Sequence, residues 1–311
     1  MTKKTPLHQV SDFDLRLLRV FKTVAECGSF SGAESALGIT RSAISLHMGD
    51  LEKRLGMRLC QRGRAGFALT DQGREVLRAS ETVLVAIEGF RSEVNQMHQQ
   101  LRGDLNVAIV NNLVTQPTMR ITHALKSVRA EGSGVRINLS MNTPGEIERG
   151  LLDGRLHVGA LPLISPLSGL EYGLLYEERS HLYCCHEHPL FAQAASVSDK
   201  QLSLADAVVP TYRMTAEAIG LHQLLNVAAS ASDREGIAFL ILTGSYIGFL
   251  PDHYAATWVE KGLMTPLDPD RLYFDSKLAI ATRKGRRQNL ILERFLSALG
   301  LNDKTASHLE M

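Results

Sequence analysis

Long apolar runs are missing from this chain of 311 residues. No stretch of about 18 apolar residues occurs, so no membrane-spanning helix and no membrane partner are expected. The N-terminal MTKKTPLHQVSDFD is basic but lacks the apolar centre of a secretory signal, which points to a cytoplasmic location. Cysteine is scarce. Cys27, Cys60, Cys184 and Cys185 form no evenly spaced framework, as suits a reducing compartment. Catalytic signatures are absent too: there is no G-x-S-x-G, no G-x-x-x-x-G-K-[ST] and no H-E-x-x-H. GSYIG at Gly244–Gly248 only echoes a nucleophile elbow. No enzyme is therefore expected, and no cofactor or metal is implied. The formal net charge is only +1, so any nucleic-acid binding has to come from a local concentration of basic residues.

Such a concentration exists. From Arg41 to Arg64, six basic residues (Arg41, Lys53, Arg54, Arg58, Arg62, Arg64) stand against only Asp50 and Glu52. The same region carries the most informative helical pattern. Ser31 and Glu34 have capping-box spacing and predict a short helix through Ala33, Ala36 and Leu37. Gly38 stops it, and Thr40 is placed to cap a second helix. There Ile44, Met48, Leu51 and Leu55 make one apolar stripe, which leaves Ser42, Ser45, Leu46 and Gly49 opposite, with Arg41 and His47 at the flanks. This reads as a helix-turn-helix with an exposed recognition helix, against the plainer alternative of a solvated helical hairpin.

The surroundings extend that unit. Leu15, Leu18, Phe21, Val24 and Ala25 predict a supporting first helix that ends at Gly28. GMRLCQRGRAGFALT predicts a two-stranded wing with Arg62 and Arg64 near its tip, suited to phosphates or a minor groove. Thr70 then opens a long helix in which Val76, Ser80, Val83, Ile87, Phe90, Val94, Met97 and Leu101 alternate spacings of four and three. A seam of that period calls for a partner helix, hence a homodimer; packing on the chain's own domain is the alternative. Beyond Gly103, LNVAIV, VRINLSM and HVGALPL alternate with helical stretches, which predicts a mostly parallel sheet. A second such unit follows Pro162 and Pro166, and KLAIATRK with the helix from Gln288 to Leu299 returns to the first. The expected class is α/β, with a ligand cleft between two lobes. The expected divisions are residues 1–70, 71–102 and 103–311, with one lobe at about 103–165 plus 277–305 and the other at about 166–276.

In GSFSGAESALGITRSAISLHMGDLEKRLGMRLCQR, in the LT-x-x-G of Leu69–Gly73, in HPLF at His188–Phe191 and in FLILTGSYIGFLP, the chain resembles the LysR-type transcriptional regulators over essentially its full length. The resemblance implies a winged helix-turn-helix, a dimerising linker helix and an effector domain like a periplasmic binding protein. It also implies a homotetramer on double-stranded promoter DNA, governed by a small-molecule effector such as an organic acid or aromatic. Residue by residue, it places Arg41, Ser42, Ser45, Leu46 and His47 toward the major groove and Arg62 on the wing. Leu46 stands where a polar or basic residue is common, which implies a shifted sequence preference rather than lost binding. For the effector it implies Asn111, Asn112, Thr115, Thr143, Leu161 and Pro162, with Ser232 and Phe249 from the second lobe. Asn111 and Asn112 have the alternative role of capping a helix. His157 replaces a commonly acidic residue.

Two other readings compete. Cys184 and Cys185 in HLYCCHEH suggest a redox or metal switch, although adjacent strand residues point to opposite faces. A free-standing solute-binding protein would share the two-lobed fold, but would need export and no DNA-binding half.

Overall fold

The computed structural model describes residues 10–63, 66–97 and 101–301. It contains two compact units that divide between Arg91 and Ser92.

In the first unit, α1 (Asp12–Cys27), α2 (Phe30–Leu37) and α3 (Arg41–Leu55) precede β1 (Cys60–Gly63), β2 (Gly66–Leu69) and the long α4 (Asp71–Met97). Its core is made by the inner faces of the three short helices: Leu17, Phe21, Val24, Ala33, Ile44 and Met48 are fully buried. In α1 the buried face therefore runs through Leu17, Val20, Phe21 and Val24, a rotation from the predicted stripe that leaves Leu15, Leu18 and Ala25 half-buried. Burial of Asp14 explains the rotation. Its carboxylate closes a capping box with Ser11 and pairs with Arg54 across the unit. Burial alone would push this carboxyl up, but the hydrogen bonds from Ser11 and Arg54 outweigh it and hold the group below the usual range.

Two tight places organise the rest of this unit. Gly38 adopts φ 63°, a left-handed conformation that L side chains rarely take, and so allows the turn between α2 and α3. Gly73 sits where α4 passes the hairpin, and a Cβ there would come within 2.0 Å of the Leu59 carbonyl oxygen. Thr70 caps α4 by accepting from the Gly73 N–H at 2.9 Å and donates to the Arg58 carbonyl at 2.7 Å. The LT-x-x-G motif is thus a helix start wedged against the segment that leads into β1.

The second unit is built on a seven-stranded sheet in the order β10–β6–β11–β5–β3–β4, with β9 also paired to β6. Its elements run β3 (Arg102–Ile109), α5 (Arg120–Glu131), β4 (Gly134–Met141), α6 (Pro144–Leu152), β5 (Val158–Pro162), β6 (Leu170–Cys185), α7 (Asp199–Leu204), β7 (Asp206–Pro210), α8 (Ala216–His222), β8 (Asn226–Ala231), α9 (Arg234–Leu242), β9 (Gly248–Pro251), α10 (Asp252–Val259), β10 (Met264–Pro266), β11 (Tyr273–Arg283) and α11 (Leu290–Ala298). Among the described strands, β3 pairs in parallel with β4 and β5, and β7 with β8; an isolated parallel bridge joins Ala207 to Ile247. The expectation of a mostly parallel sheet is corrected by one strand. Leu170–Cys185 forms one 16-residue β6, paired antiparallel to β11 from Leu170 to His181. A bulge opposite Leu278/Ala279 bends this pair.

Leu170, Leu175 and Tyr176 in the first half of β6 join the core of Val107, Ile147, Leu151 and Phe295. Leu182 and Cys184 join the core containing Ile247 and Phe249. One strand thus contributes to two cores.

Candidate functional site

The first candidate surface is the outer face of α3. Thr40 caps the helix by accepting from the Ala43 N–H at 3.3 Å. With Ile44, Met48 and Leu51 turned inward, Arg41, Ser42, Leu46 and Gly49 are exposed, and Leu46 keeps 64% of its surface in solvent. Ser45 is half-buried beside them. His47 departs from the expected outward position: its ring meets Phe13 of α1 edge-on at 6.5 Å, and its Nδ1 is buried. Ser31 and Glu34 also differ from expectation. Ser29 caps α2 by accepting from the Gly32 N–H, which frees Glu34 to accept from the Arg41 backbone N–H at 2.5 Å. A carboxylate thus satisfies the first turn of α3, where a helix presents unpaired donors.

The basic cluster is partly committed to structure. Arg54 is spent on Asp14, whereas the side chains of Arg41, Lys53 and Arg58 are exposed. Arg62 lies in β1 opposite Phe67, at the end of a regular antiparallel hairpin. Arg64 lies outside the described residues. Along α4, Val83 and Phe90 expose 40% and 64% of their surfaces, while the Ser80 hydroxyl turns back onto the Val76 carbonyl at 2.6 Å. The helix is described as far as Met97, and Leu101 of the expected seam is not helical.

The second candidate site is a cleft of about 210 Å³ in the second unit. Asn111, Thr143 and Pro162 come from the ends of the parallel strands β3, β4 and β5; Tyr212, Ser232, Asp233 and Arg234 close it from the other lobe. Thr143 starts α6 through a capping box with Glu146, and its hydroxyl and N–H both donate to that carboxylate. Asp233 caps α9 by accepting from the Gly236 N–H at 2.8 Å. Arg234 follows as the first residue of α9 and was missed in the sequence, where nothing links it to residues 60 to 120 positions earlier.

Arg234 has a divided role. One amino group pairs with Glu178, deep in the floor, while Nη1 is buried without a partner. Glu178 further accepts from Gln116 Nε2 at 3.1 Å and meets His253 Nε2 at 3.1 Å. Burial would push its carboxyl up, but the Arg234 charge and the contacts with His253 hold it below the usual range. The guanidinium also lies beside Tyr212, whose hydroxyl burial keeps protonated. The arrangement places in the cleft wall a guanidinium with one buried donor unsatisfied.

Four of the expected effector positions do not line this cleft. Thr115 ends a 3-10 turn over Leu113–Thr115, and α5 starts only at Arg120. Thr115 instead bonds the Asn112 carbonyl at 2.8 Å and His253 Nδ1 at 2.7 Å. Asn112, at φ 66°, turns its side chain to Tyr254. Leu161 is buried in the first lobe's core, and Phe249 belongs to an adjoining cavity. His157 serves the structure instead, because its Nδ1 accepts from the Asn106 N–H at 3.0 Å and burial keeps the ring neutral. Cys184 and Cys185 fall in different cores on opposite faces of β6, and burial pushes the Cys184 thiol up to about 12. They cannot converge on a metal, and Cys184 is no ready thiolate.

Residues 15–74 match the family of the bacterial regulatory helix-turn-helix protein, lysR family, and residues 98–301 match the LysR substrate binding domain. The chain belongs to the LysR family. It is a DNA-binding transcriptional regulator with an effector-binding domain, and the family consists of regulators rather than enzymes. Among relatives, it is 64% identical over 302 residues to the HTH-type transcriptional activator BauR of Pseudomonas aeruginosa, covering 97% of this chain and 99% of that one. It is 26% identical over 289 residues to the HTH-type transcriptional regulator MetR of Escherichia coli, covering 91% and 88%. Full-length CbnR solved with its target DNA shares the fold at TM-score 0.65 and 21% identity, covering 92% of this chain and 98% of that one. No helix among the described residues is long and apolar enough to cross a membrane.

Proposed function

We propose that this regulator acts in the cytoplasm as an activator, as its relative BauR is named, and that it senses a small organic acid in the cleft. The observation that carries this reading is Arg234: a buried guanidinium with one amino group unpartnered favours a carboxylate over a neutral ligand. Asn111, Thr143, Ser232 and Tyr212 surround the same space with polar groups. On the DNA side, Arg41, Ser42, Ser45 and Leu46 read the major groove from α3, His47 supports the helix from its flank, and Arg62 with Arg64 holds phosphates from the wing. The exposed Val83 and Phe90 of α4 are covered by the same helix of a second copy, and pairs of dimers assemble into a tetramer. Effector binding shifts the population of cleft conformations and so the spacing of the DNA-binding pairs.

Two measurements test this. Duplex DNA selected from a random pool by the full-length protein is titrated with salt: Arg41→Ala and Arg62→Ala each lower affinity and reduce the log–log salt slope by about one. Unchanged slopes would mean that the DNA surface is misplaced. Thermal unfolding against organic acids, aromatics, amino acids and sugars identifies the ligand class, since saturation at 100 times Kd adds about 2.7 kcal/mol. Arg234→Met loses the response to acids; a full response in that variant would move the carboxylate site elsewhere.

A further inference from the structure

Beside the cleft lies a second cavity of about 50 Å³, which shares Pro162, Tyr212 and Arg234 with it. Its other walls are mainly apolar, from Ile237, Phe249, Pro251 and Phe274. Ser180, Thr215 and Ser276 also line it, and His222 adds a buried ring. His222, at the end of α8, is 6% exposed and stacks near Phe249 at 4.9 Å and Phe274 at 6.5 Å. Its Nδ1 lies 2.7 Å from the Ala218 carbonyl oxygen, which can only accept, so Nδ1 carries the proton. Burial keeps the ring neutral. Nε2 is therefore a bare acceptor, and it has no hydrogen-bond partner.

We infer that His222 forms a specificity subsite for a hydrogen-bond-donating group on the effector, a hydroxyl or an amine, while Arg234 holds its carboxylate. The inference rests on the reading of the cleft as the acid-binding site and adds the other end of the ligand. An acceptor left bare in an apolar pocket is costly, and a donor delivered by the ligand relieves that cost on binding. Size restricts the group further. A dry cavity that holds benzene measures about 150 Å³, so this one takes a chain end rather than a ring. No carboxylate lines the second cavity, so a hydroxyl is desolvated there more cheaply than an ammonium. A ligand that delivers such a donor therefore binds more tightly than the analogue lacking it.

The test uses the full-length protein and straight-chain carboxylates of three to six carbons, each as the unsubstituted, ω-hydroxy and ω-amino acid. Calorimetric Kd values and melting shifts are compared for wild type, His222→Phe, His222→Gln and Arg234→Met. Wild type is expected to bind one substituted acid roughly threefold to tenfold more tightly than its unsubstituted parent, the worth of one hydrogen bond. His222→Phe, which keeps an aromatic body, abolishes that preference and still binds the parent acid. His222→Gln, which keeps an acceptor, retains part of it. Arg234→Met loses all the acids together. A preference that survives in His222→Phe, or a wild type indifferent to the substituent, overturns the subsite alone. Binding of none of the acids by wild type overturns the carboxylate reading and the subsite with it.

Discussion

The outer face of α3 and the interlobe cleft are both recognition surfaces, yet they are built in opposite ways. The α3 face comes from a single run of sequence, is convex, and leaves Arg41, Ser42 and Leu46 in solvent. The cleft gathers Asn111, Thr143, Pro162, Tyr212 and Arg234 from strand ends and loops spread over more than a hundred residues. Each surface leans on a buried carboxylate–arginine pair, and here too they diverge. Asp14 braces Arg54, which remains 40% exposed, whereas Glu178 holds an Arg234 whose side chain is only 10% exposed. A DNA-reading helix needs only to be held steady, while a small-ligand site needs a charge kept dry and aimed.

The two pairs can be separated by mutation. Glu178→Ala leaves the Arg234 guanidinium buried and unpaired, and is expected to cost about 3–5 kcal/mol in stability by chemical denaturation. Asp14→Ala leaves Arg54 to water and loses mainly a helix cap, about 1–2 kcal/mol. Equal losses would erase the distinction between a dry and a wet pair.

Close packing in the DNA-binding unit gives the next largest effect. Gly73→Ala drives a Cβ into the Leu59 carbonyl and is expected to destabilise by about 1–3 kcal/mol, although alanine is the better helix former. A neutral outcome would show that α4 and the segment leading into β1 can separate freely.

Acid sharpens the comparison further. Both carboxyls titrate below their unfolded values, so the stability that they contribute is present above those values and is lost as pH falls through the folded ones. Melting temperature is therefore expected to fall on acidification, and Glu178→Gln flattens its share of that fall. If the acid limb is identical in wild type and Glu178→Gln, the Glu178 carboxyl is not held low. The smallest effect separates two neighbouring serines. Ser29→Ala, which removes the cap of α2, costs about 1 kcal/mol, and Ser31→Ala stays within about 0.5 kcal/mol.

Legibility of the fold followed the same divide. Helical spacing identified the inward stripe of α3 because Ile44, Met48 and Leu51 are neighbours on one helix whatever surrounds it. It misplaced the face of α1 because a buried Asp14 counts as polar until Arg54 is seen beside it. It missed the capping role of Ser29, since Ser31 and Glu34 match the same motif two residues later and only the turn to Arg41 shows where Glu34 is used. In the cleft, alternating strand and helix patterns gave the strands, and the family resemblance pointed to Asn111, Thr143 and Pro162 near their ends. Asn112 and Thr115 were not, because a left-handed residue and a 3-10 turn redirect them toward Tyr254 and His253.

By itself, then, the sequence determined the helix-turn-helix and the α/β class of the remainder, while the resemblance of its motifs pointed to the family. The first two depend on residues a few positions apart whose relation is set by the period of one element. Only the tertiary structure decided the continuity of β6 across both lobes, the burial of Glu178 beneath Arg234, and the bare Nε2 of His222 beside the cleft. Those features join side chains tens of residues apart, and the energy that selects them comes from burying charge and packing at a distance, which no local pattern records.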